Sequence, residues 1–219
     1  MYKRQVNDEA VIDAALAVGL LARTPSISPG RIFVAGHSLG GMLVPRIAAA
    51  APAARGFIVL AGAARPLEQA ILEQTEYVAS LDGVVTPQEQ AGIDAAKKNL
   101  EAVRALTGAD AIANRLISGA PASYWLDLRG YDPPEAAKAV TRPLLVLQGE
   151  RDYQVTMKEF QRWKAALDGR PGVVFKSYPS LNHRFMPGTG PGNPLEYMVP
   201  RHVAEEVIAD IVAFIQKAR

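Results

Sequence analysis

Two kinds of apolar pattern alternate along the chain and together predict an α/β fold. Strand-like apolar runs occupy residues 32–35, 56–63, 143–149 and 173–178, as is typical of strands covered on their faces by helices. Helical periodicity is predicted for the segments 7–23, 39–51, 67–81, 87–106, 156–167 and 201–217. Because short links join the first strand, helix and second strand, we expect a mostly parallel sheet of about four strands, flanked by helices and joined by right-handed crossovers.

Residues 64–140 depart from this alternation. They carry long helical patterns without a strand-like run as strong as the neighbouring ones, and they are far longer than a crossover between parallel strands requires. We therefore interpret 64–140 as a helical cap inserted into a core formed by 1–63 and 141–219. Near its end, Tyr124 and Trp125 could line a pocket beneath the cap, or could only pack the cap against the sheet.

The motif Gly36-His37-Ser38-Leu39-Gly40 lies where the first apolar run meets a helical pattern. This G-x-S-x-G spacing between a strand and a helix is typical of a serine held on a sharp, strained turn. We expect Gly36 and Gly40 to be required because side chains at both positions would collide across the turn. The following helix directs its free N–H groups towards the same point, which favours Ser38 as a nucleophile.

A serine hydroxyl needs a base to accept its proton, and the chain offers three histidines. His37 adjoins Ser38, and we expect its side chain to point away from the position of a base. His202 opens the last predicted helix as a surface residue. His183 follows a strand, in the kind of loop where the functional groups of open α/β sheets collect, and is therefore the candidate base.

The base in turn needs an acid that orients it. Asp152 directly follows the end of a buried strand, so the carboxyl ends of parallel strands are expected to bring it close to Ser38 and His183. Three other carboxylates compete with it less well: Glu150, Asp127 and Asp132. The last two fall in or near the predicted cap, outside the pattern of strand followed by loop.

These motifs, with Leu147-Gln148-Gly149-Glu150-Arg151-Asp152 and Leu181-Asn182-His183, resemble the α/β-hydrolase superfamily, and most closely its capped carboxylesterase and serine-aminopeptidase-like branch. The resemblance covers nearly the whole chain from residue 32 onward. It implies hydrolysis of small acyl esters through an acyl-enzyme on Ser38, with His183 moving the proton and Asp152 holding the imidazole. It implies no metal and no organic cofactor. The candidate substrate-binding residues are His37, Tyr124 and Trp125.

The same chemistry leaves a peptidase, a thioesterase or an acyltransferase open. A dehalogenase is disfavoured, because it needs a carboxylate where this chain has Ser38. The sequence also departs from the usual core of this superfamily, since one predicted helix and none of the expected first four strands precede Ser38. We therefore expect a shortened core, or else a truncated reading of a longer gene.

The loop that would supply one oxyanion-hole N–H, often marked by an HG-type motif, is not found before Ser38. The N–H of Leu39 remains as the candidate donor, and loss of one donor can lower turnover on the order of 100- to 1000-fold. The alternative function is accordingly a nearly inactive relic that binds a small apolar ligand. We also expect the open edge of the Ser38 strand to be covered by a second copy in a homo-oligomer.

Composition sets the outer limits of these interpretations. The 219 residues, 49% hydrophobic and 21% charged, suit a soluble globular protein with a proper core. A net charge of +2 gives no reason to expect nucleic acid or a membrane surface as partner. The absence of cysteine excludes disulfides, thiolate metal sites and a cysteine nucleophile. With a polar first segment and no apolar run near the roughly 20 residues of a membrane span, we expect a cytoplasmic protein.

Overall fold

Four parallel strands form the main sheet of the computed structural model, which describes residues 6–218, in the order β1-β2-β5-β6. The six strands of the described chain are β1 (Phe33–His37), β2 (Gly56–Leu60), β3 (Leu116–Ile117), β4 (Ala120–Pro121), β5 (Leu144–Gly149) and β6 (Val173–Tyr178). The register pairs His37 with Leu60, and Gly149 with Tyr178. The predicted α/β fold with a parallel sheet of about four strands is confirmed.

Burial explains the different sequence patterns of these strands. β2 and β5 lie in the middle of the sheet, and every residue of β5 is buried. Their continuous apolar runs follow from coverage on both faces. β6 lies at one edge, and its residues alternate between partly buried and exposed, with Val174 48% exposed.

Six of the nine α-helices within residues 6–218 lie in the predicted segments, with differences at some ends, and three short ones between residues 108 and 137 lie outside those segments. The helices are α1 (Asp13–Arg23), α2 (Leu39–Ala50), α3 (Leu67–Ala79), α4 (Pro87–Arg104), α5 (Gly108–Ile112), α6 (Ala122–Leu128), α7 (Pro133–Ala137), α8 (Met157–Leu167) and α9 (Glu205–Lys217), with 3-10 turns at Pro29–Arg31 and Pro194–Met198. The first predicted helix begins as a π-helix at Asn7–Ile12. The prediction that the last helix starts at residue 201 is wrong. Ala204 is extended, and its N–H donates to the Phe185 carbonyl.

Helix α9 packs on the main sheet, as its apolar face predicts. Val207 and Phe214 of α9 join Ile58, Leu145 and Leu147 in one buried cluster. The apolar surface of α9 extends beyond this contact, because Ile208 (52%) and Val212 (47%) of the same helix are exposed.

The described chain divides into two compact units. One contains 10–64 and 132–218, and therefore the whole main sheet. The other contains 65–131 together with 6–9. Within this second unit, α4 starts with a capping box of Thr86 and Glu89, and the guanidinium of Arg129 donates to the carbonyls of Val103 (2.7 Å) and Leu106 (2.9 Å). The division of the core at 63 and 141 around a cap at 64–140 stays a prediction. None of the helices within residues 6–218 has the length and apolarity that crossing a membrane requires.

β1, the strand before Ser38, is at an edge of the sheet, since within residues 6–218 it pairs with β2 alone. Apolar side chains of α1 are exposed as well, with Leu16 at 65% and Leu20 at 62%. The predicted homo-oligomer stays a prediction, and light scattering of the purified protein tests it. We expect a mass above the 23.5 kDa of one chain, and a single species at that mass would contradict it.

Substitution of Leu145 by alanine tests the core cluster. Leu145 is 1% exposed, so Leu145→Ala should lower the free energy of unfolding by about 2–5 kcal/mol, as deletion of buried methyl groups leaves a cavity. Val174→Ala on exposed β6 is the matched control and should change it by about 0.5 kcal/mol or less. Urea unfolding measures both, and equal losses in the two variants would show that the cluster does not carry the stability assigned to it.

Candidate active site

Ser38 lies on a strained turn between β1 and α2. Its backbone has φ 56° and ψ −117°, a left-handed φ that is unusual for a residue with a side chain. The turn is closed by main-chain hydrogen bonds, because Ser38 N–H donates to the Leu60 carbonyl (2.9 Å) and the Ser38 carbonyl accepts from Met42 N–H (3.0 Å). Ser38 therefore stands at the carboxyl end of β1, immediately before the unpaired N–H groups of the first turn of α2.

The glycines around Ser38 serve this turn in a different way from the one predicted. A Cβ on Gly36 would lie 2.2 Å from the Gly40 carbonyl oxygen, whereas a Cβ on Gly40 would meet nothing within 4 Å. The prediction that a side chain at Gly40 would collide is therefore wrong, because only its backbone is in the crowded place. The second required glycine is Gly41, whose Cβ would lie 2.8 Å from the Cα of Gly62, just after β2.

Asp152 lies in the loop after β5 with its side chain fully buried. Its Oδ1 accepts from the N–H groups of Gln154 (2.8 Å) and Val155 (2.9 Å). Its Oδ2 accepts from Gln148 Nε2 (3.1 Å) and from His183 Nδ1 (2.7 Å). A buried carboxylate needs such donors, and the four hydrogen bonds fix its direction.

Sequence reasoning missed the part played by Gln148. This side chain is 2% exposed, and its Nε2 also donates to the Val155 carbonyl (2.7 Å). Gln148 on β5 therefore holds the loop of Asp152 through two hydrogen bonds. The signal was present in the sequence as a single polar side chain near the end of the apolar run 143–149.

His183 lies in a tight loop after β6, with its side chain 6% exposed. The loop is held by Asn182, whose Oδ1 accepts from the N–H groups of Arg184 (3.0 Å) and Met186 (3.1 Å). It approaches the end of β5 so closely that a Cβ on Gly149 would lie 2.6 Å from the Asn182 carbonyl oxygen. Because the Asp152 carboxylate accepts, Nδ1 of His183 carries the proton, and Nε2 is the nitrogen that can accept one.

His37 joins the Ser38 turn to the loop of His183. Its Nε2 lies 2.8 Å from the His183 carbonyl oxygen, which can only accept, so His37 donates. Its ring also contacts the His183 ring, with 4.6 Å between centroids. Although part of the ring faces solvent, desolvation in this packing lowers the pKa of His37 and outweighs the hydrogen bond to the His183 carbonyl, which raises it. The predicted contact of His37 with substrate stays a prediction.

The roles predicted for the other candidate residues stay predictions. Tyr124 and Trp125 are buried in the second unit, and within that unit the Trp125 indole donates to the Ile117 carbonyl (3.1 Å). Both alternatives for this pair, lining a pocket or packing against the sheet, stay predictions. Leu39 occupies the first position of α2, and its part in an oxyanion hole stays a prediction. His202 is exposed, as expected.

The competing carboxylates each have other partners. Glu150 accepts from the Ser177 hydroxyl (2.7 Å), Asp127 accepts from the Asn7 N–H (3.1 Å), and Asp132 caps α7 and pairs with Arg162. Among residues 6–218, no group of three or more acidic or histidine side chains is arranged to hold a metal ion. Of the three predicted catalytic residues, Asp152 and His183 are joined by a side-chain hydrogen bond (2.7 Å), and the role of Ser38 beside them stays a prediction.

The lowered pKa of His37 makes stability depend on pH. Its pKa is 6.5 in an unfolded chain and lower when folded, so between the two values the unfolded chain binds more protons. His37 therefore contributes its full stability above about pH 6.5, and that contribution is lost as the pH falls towards the lowered value. We expect His37→Gln, which can still donate to the His183 carbonyl, to lose less stability than the wild type between about pH 8 and about pH 5 in urea unfolding. Identical losses would contradict the assignment.

Comparison with known proteins agrees with this geometry. The alpha/beta hydrolase family matches residues 4–211. The chain is 37% identical over 212 residues to Esterase EstD of Thermotoga maritima, covering 97% of this chain and 48% of that protein. It is 29% identical over 178 residues to Monoacylglycerol lipase of Mycolicibacterium smegmatis, covering 80% of this chain and 62% of that protein. The chain thus spans about half to two thirds of the length of these relatives.

The fold is also found among solved structures. An esterase of Pyrococcus furiosus superposes with a TM-score of 0.59 at 18% identity, covering 97% of this chain and 63% of that one. At such low identity the likeness concerns the fold alone. Together with the family match over most of the chain, the parallel sheet and the strained Ser38 turn, it leads to one conclusion: the chain belongs to the alpha/beta hydrolase family.

Proposed function

We propose that this protein is a carboxylester hydrolase in which Ser38 is the nucleophile, His183 the general base and acid, and Asp152 the residue that orients His183. The observation that carries the proposal is the 2.7 Å hydrogen bond from His183 Nδ1 to Asp152 Oδ2. It gives the imidazole the tautomer that a serine nucleophile needs. The contact of His37 with the His183 carbonyl (2.8 Å) ties that imidazole's loop to the residue next to Ser38.

In the first half of the reaction, Nε2 of His183 takes the proton of the Ser38 hydroxyl as Oγ bonds to the ester carbonyl carbon. The carbonyl oxygen becomes an oxyanion, and the N–H of Leu39 donates to it at the amino end of α2. The protonated His183 is stabilised by the Asp152 carboxylate. It then gives its proton to the alkoxide as the bond from carbon to that oxygen breaks, so that the alcohol leaves and the acyl group stays on Ser38.

In the second half, water takes the place of the alcohol. His183 accepts a proton from water while the water oxygen bonds to the acyl carbon, and it then returns the proton to Ser38 Oγ as the acyl bond breaks. The products are a carboxylic acid and the original enzyme. Since every proton is carried by His183, its hydrogen bond to Asp152 is used in both halves.

The proposed substrates are small, uncharged acyl esters. The names of the two curated relatives, an esterase and a monoacylglycerol lipase, support an ester bond as the bond that is cleaved. A thioester or a peptide bond could enter the same chemistry, and comparative assays with matched acyl groups separate these substrates. The small-molecule substrate, the absence of a nucleic-acid or membrane partner, and the cytoplasmic location stay predictions from composition and motifs.

Removal of the Ser38 hydroxyl tests the proposal. We expect Ser38→Ala to lower the hydrolysis of a chromogenic acetyl or butyryl ester by roughly 1000-fold or more, because no other group then forms the acyl-enzyme. A fluorophosphonate probe should label Ser38 in the wild type, as read by mass spectrometry of the peptide that contains residue 38, and should leave Ser38→Ala unlabelled.

Ser28→Ala is the matched control, since Ser28 is an exposed serine without a side-chain cap hydrogen bond. It should hydrolyse the ester at the wild-type rate. Equal rates for the wild type and Ser38→Ala, together with no labelling of Ser38, would refute the hydrolase proposal and favour the alternative of a relic that only binds an apolar ligand. Binding of such a ligand with no turnover by the wild type would support that alternative directly.

A further inference from the structure

We propose that Glu196 is a positioning residue, which holds the loops of Asp152 and His183 at the spacing that their hydrogen bond requires. The inference rests on the proposed function for its effect on turnover, but the geometry that it concerns can be measured independently of any activity. Glu196 lies in the 3-10 turn Pro194–Met198, a segment to which the sequence motifs give no role.

The carboxylate of Glu196 contacts both loops at the residues that immediately precede the acid and the base. Arg151, next to Asp152, donates from Nη2 to Oε1 and from Nη1 to Oε2 (3.4 Å). Asn182, next to His183, donates from Nδ2 to Oε2 (2.8 Å). One carboxylate thus links the two loops through their side chains.

Tyr197 repeats the same arrangement on the residues that immediately follow the acid and the base. Its ring stacks on the ring of Tyr153 at 6.3 Å between centroids, and the guanidinium carbon of Arg184 lies 4.4 Å from its centroid. Its hydroxyl oxygen also accepts from Gln154 Nε2 (3.2 Å). We call Glu196 and Tyr197 the clasp. The clasp contacts the residues on both sides of Asp152 and on both sides of His183.

The glycine-rich segment before the clasp is shaped around Arg151. The guanidinium donates to the carbonyls of Gly190 (2.7 Å) and Thr189 (3.0 Å). A Cβ on Gly188 would lie 2.2 Å from Arg151 Nη1, and a Cβ on Gly192 would lie 2.1 Å from the Arg151 carbonyl oxygen. These close approaches favour glycine at positions 188 and 192, where the segment passes directly against Arg151.

The ion pair between Glu196 of the clasp and Arg151 is largely shielded from water, because the Arg151 side chain is 9% exposed and that of Glu196 is 19% exposed. Burial alone would raise the pKa of Glu196, but the hydrogen bonds from Arg151 and Asn182, with the charges of Arg151 and Arg201, outweigh it and hold that pKa below its usual range. The carboxylate is therefore charged at neutral pH. Because a guanidinium is planar and can donate two hydrogen bonds to one carboxylate, this pairing restricts the orientation of the two side chains as well as the distance between them.

A main-chain hydrogen bond also joins the two loops, but it does not orient their side chains. Arg151 N–H donates to the Leu181 carbonyl (3.0 Å), which joins the loops at their bases. The imidazole of His183 must still meet Asp152 at the correct angle, and a displacement near 1 Å in such a site can lower turnover about 100-fold. The clasp supplies the remaining restraint on residues 182 and 184, which flank the imidazole.

Substitution of Glu196 tests this assignment. We expect Glu196→Ala to lower kcat by roughly 10- to 100-fold with little change in KM, because the loops lose alignment while the substrate site is untouched. Glu196→Gln keeps the shape and one acceptor oxygen, so it should recover part of kcat and provides a folded variant should Glu196→Ala fail to fold. Asp210→Ala is the matched control. The Asp210 carboxylate also accepts from one cation and one neutral donor, Lys176 (2.5 Å) and the Tyr178 hydroxyl (2.8 Å), and lies on α9.

A spectroscopic measurement separates this inference from the proposed function. The proton on His183 Nδ1, in its hydrogen bond to Asp152, should give a strongly downfield proton NMR signal, assigned by its loss in Asp152→Asn. We expect that signal to shift or broaden in Glu196→Ala and to stay in place in Asp210→Ala, whether or not the protein hydrolyses esters. An unchanged signal and an unchanged kcat in folded Glu196 variants would overturn the positioning role. Ester turnover by the wild type equal to that of Ser38→Ala would instead overturn the proposed function alone.

Discussion

The burial of the Asp152 carboxylate is the constraint on which the rest of the site depends. A charged group with no exposed surface is tolerated only where donors surround it. Three of its four donors come from its own part of the chain, namely Gln148 and the main-chain N–H groups of Gln154 and Val155. The carboxylate is thus oriented by β5 and the following loop, and its remaining lone pair defines where the His183 ring must lie.

The parallel sheet brings the Asp152 carboxylate and the His183 ring to the same place, and glycines allow the backbones around them to approach closely. β5 and β6 are neighbours, so the loops that follow them leave the same edge of the sheet side by side. Gly149 lets the loop of His183 approach the end of β5, and Gly36 lets the Ser38 turn fold against Gly40. His37 then connects the turn with the loop of His183. Ser38, Asp152 and His183 are therefore each held by contacts of the residues beside them.

Local patterns in the sequence predicted most of the fold and the sharp turn at Ser38, because apolar runs and the G-x-S-x-G motif report on neighbouring residues. Long-range contacts could not be predicted in this way. Arg151 and Glu196 are 45 positions apart, and no periodicity joins them. The start of α9 was misplaced for the same reason, since the extended Ala204 is held by the distant Phe185 carbonyl. Gly40 could not be interpreted correctly from the motif either, because the motif gives the position of a glycine but not the atoms that a side chain there would meet.

The sharing of one guanidinium by several segments has a consequence for protein engineering. Arg151, which belongs to the loop of Asp152, contacts the glycine-rich segment and Glu196 at once. A chimera that exchanges only one of these segments with a homologue would break the set, so they form a single transplantable module. Diversity can instead be introduced at Leu195 and Met198, whose side chains are 76% and 79% exposed on either side of the clasp. A library built at those two sites would vary the rim of the module while leaving its internal connections intact.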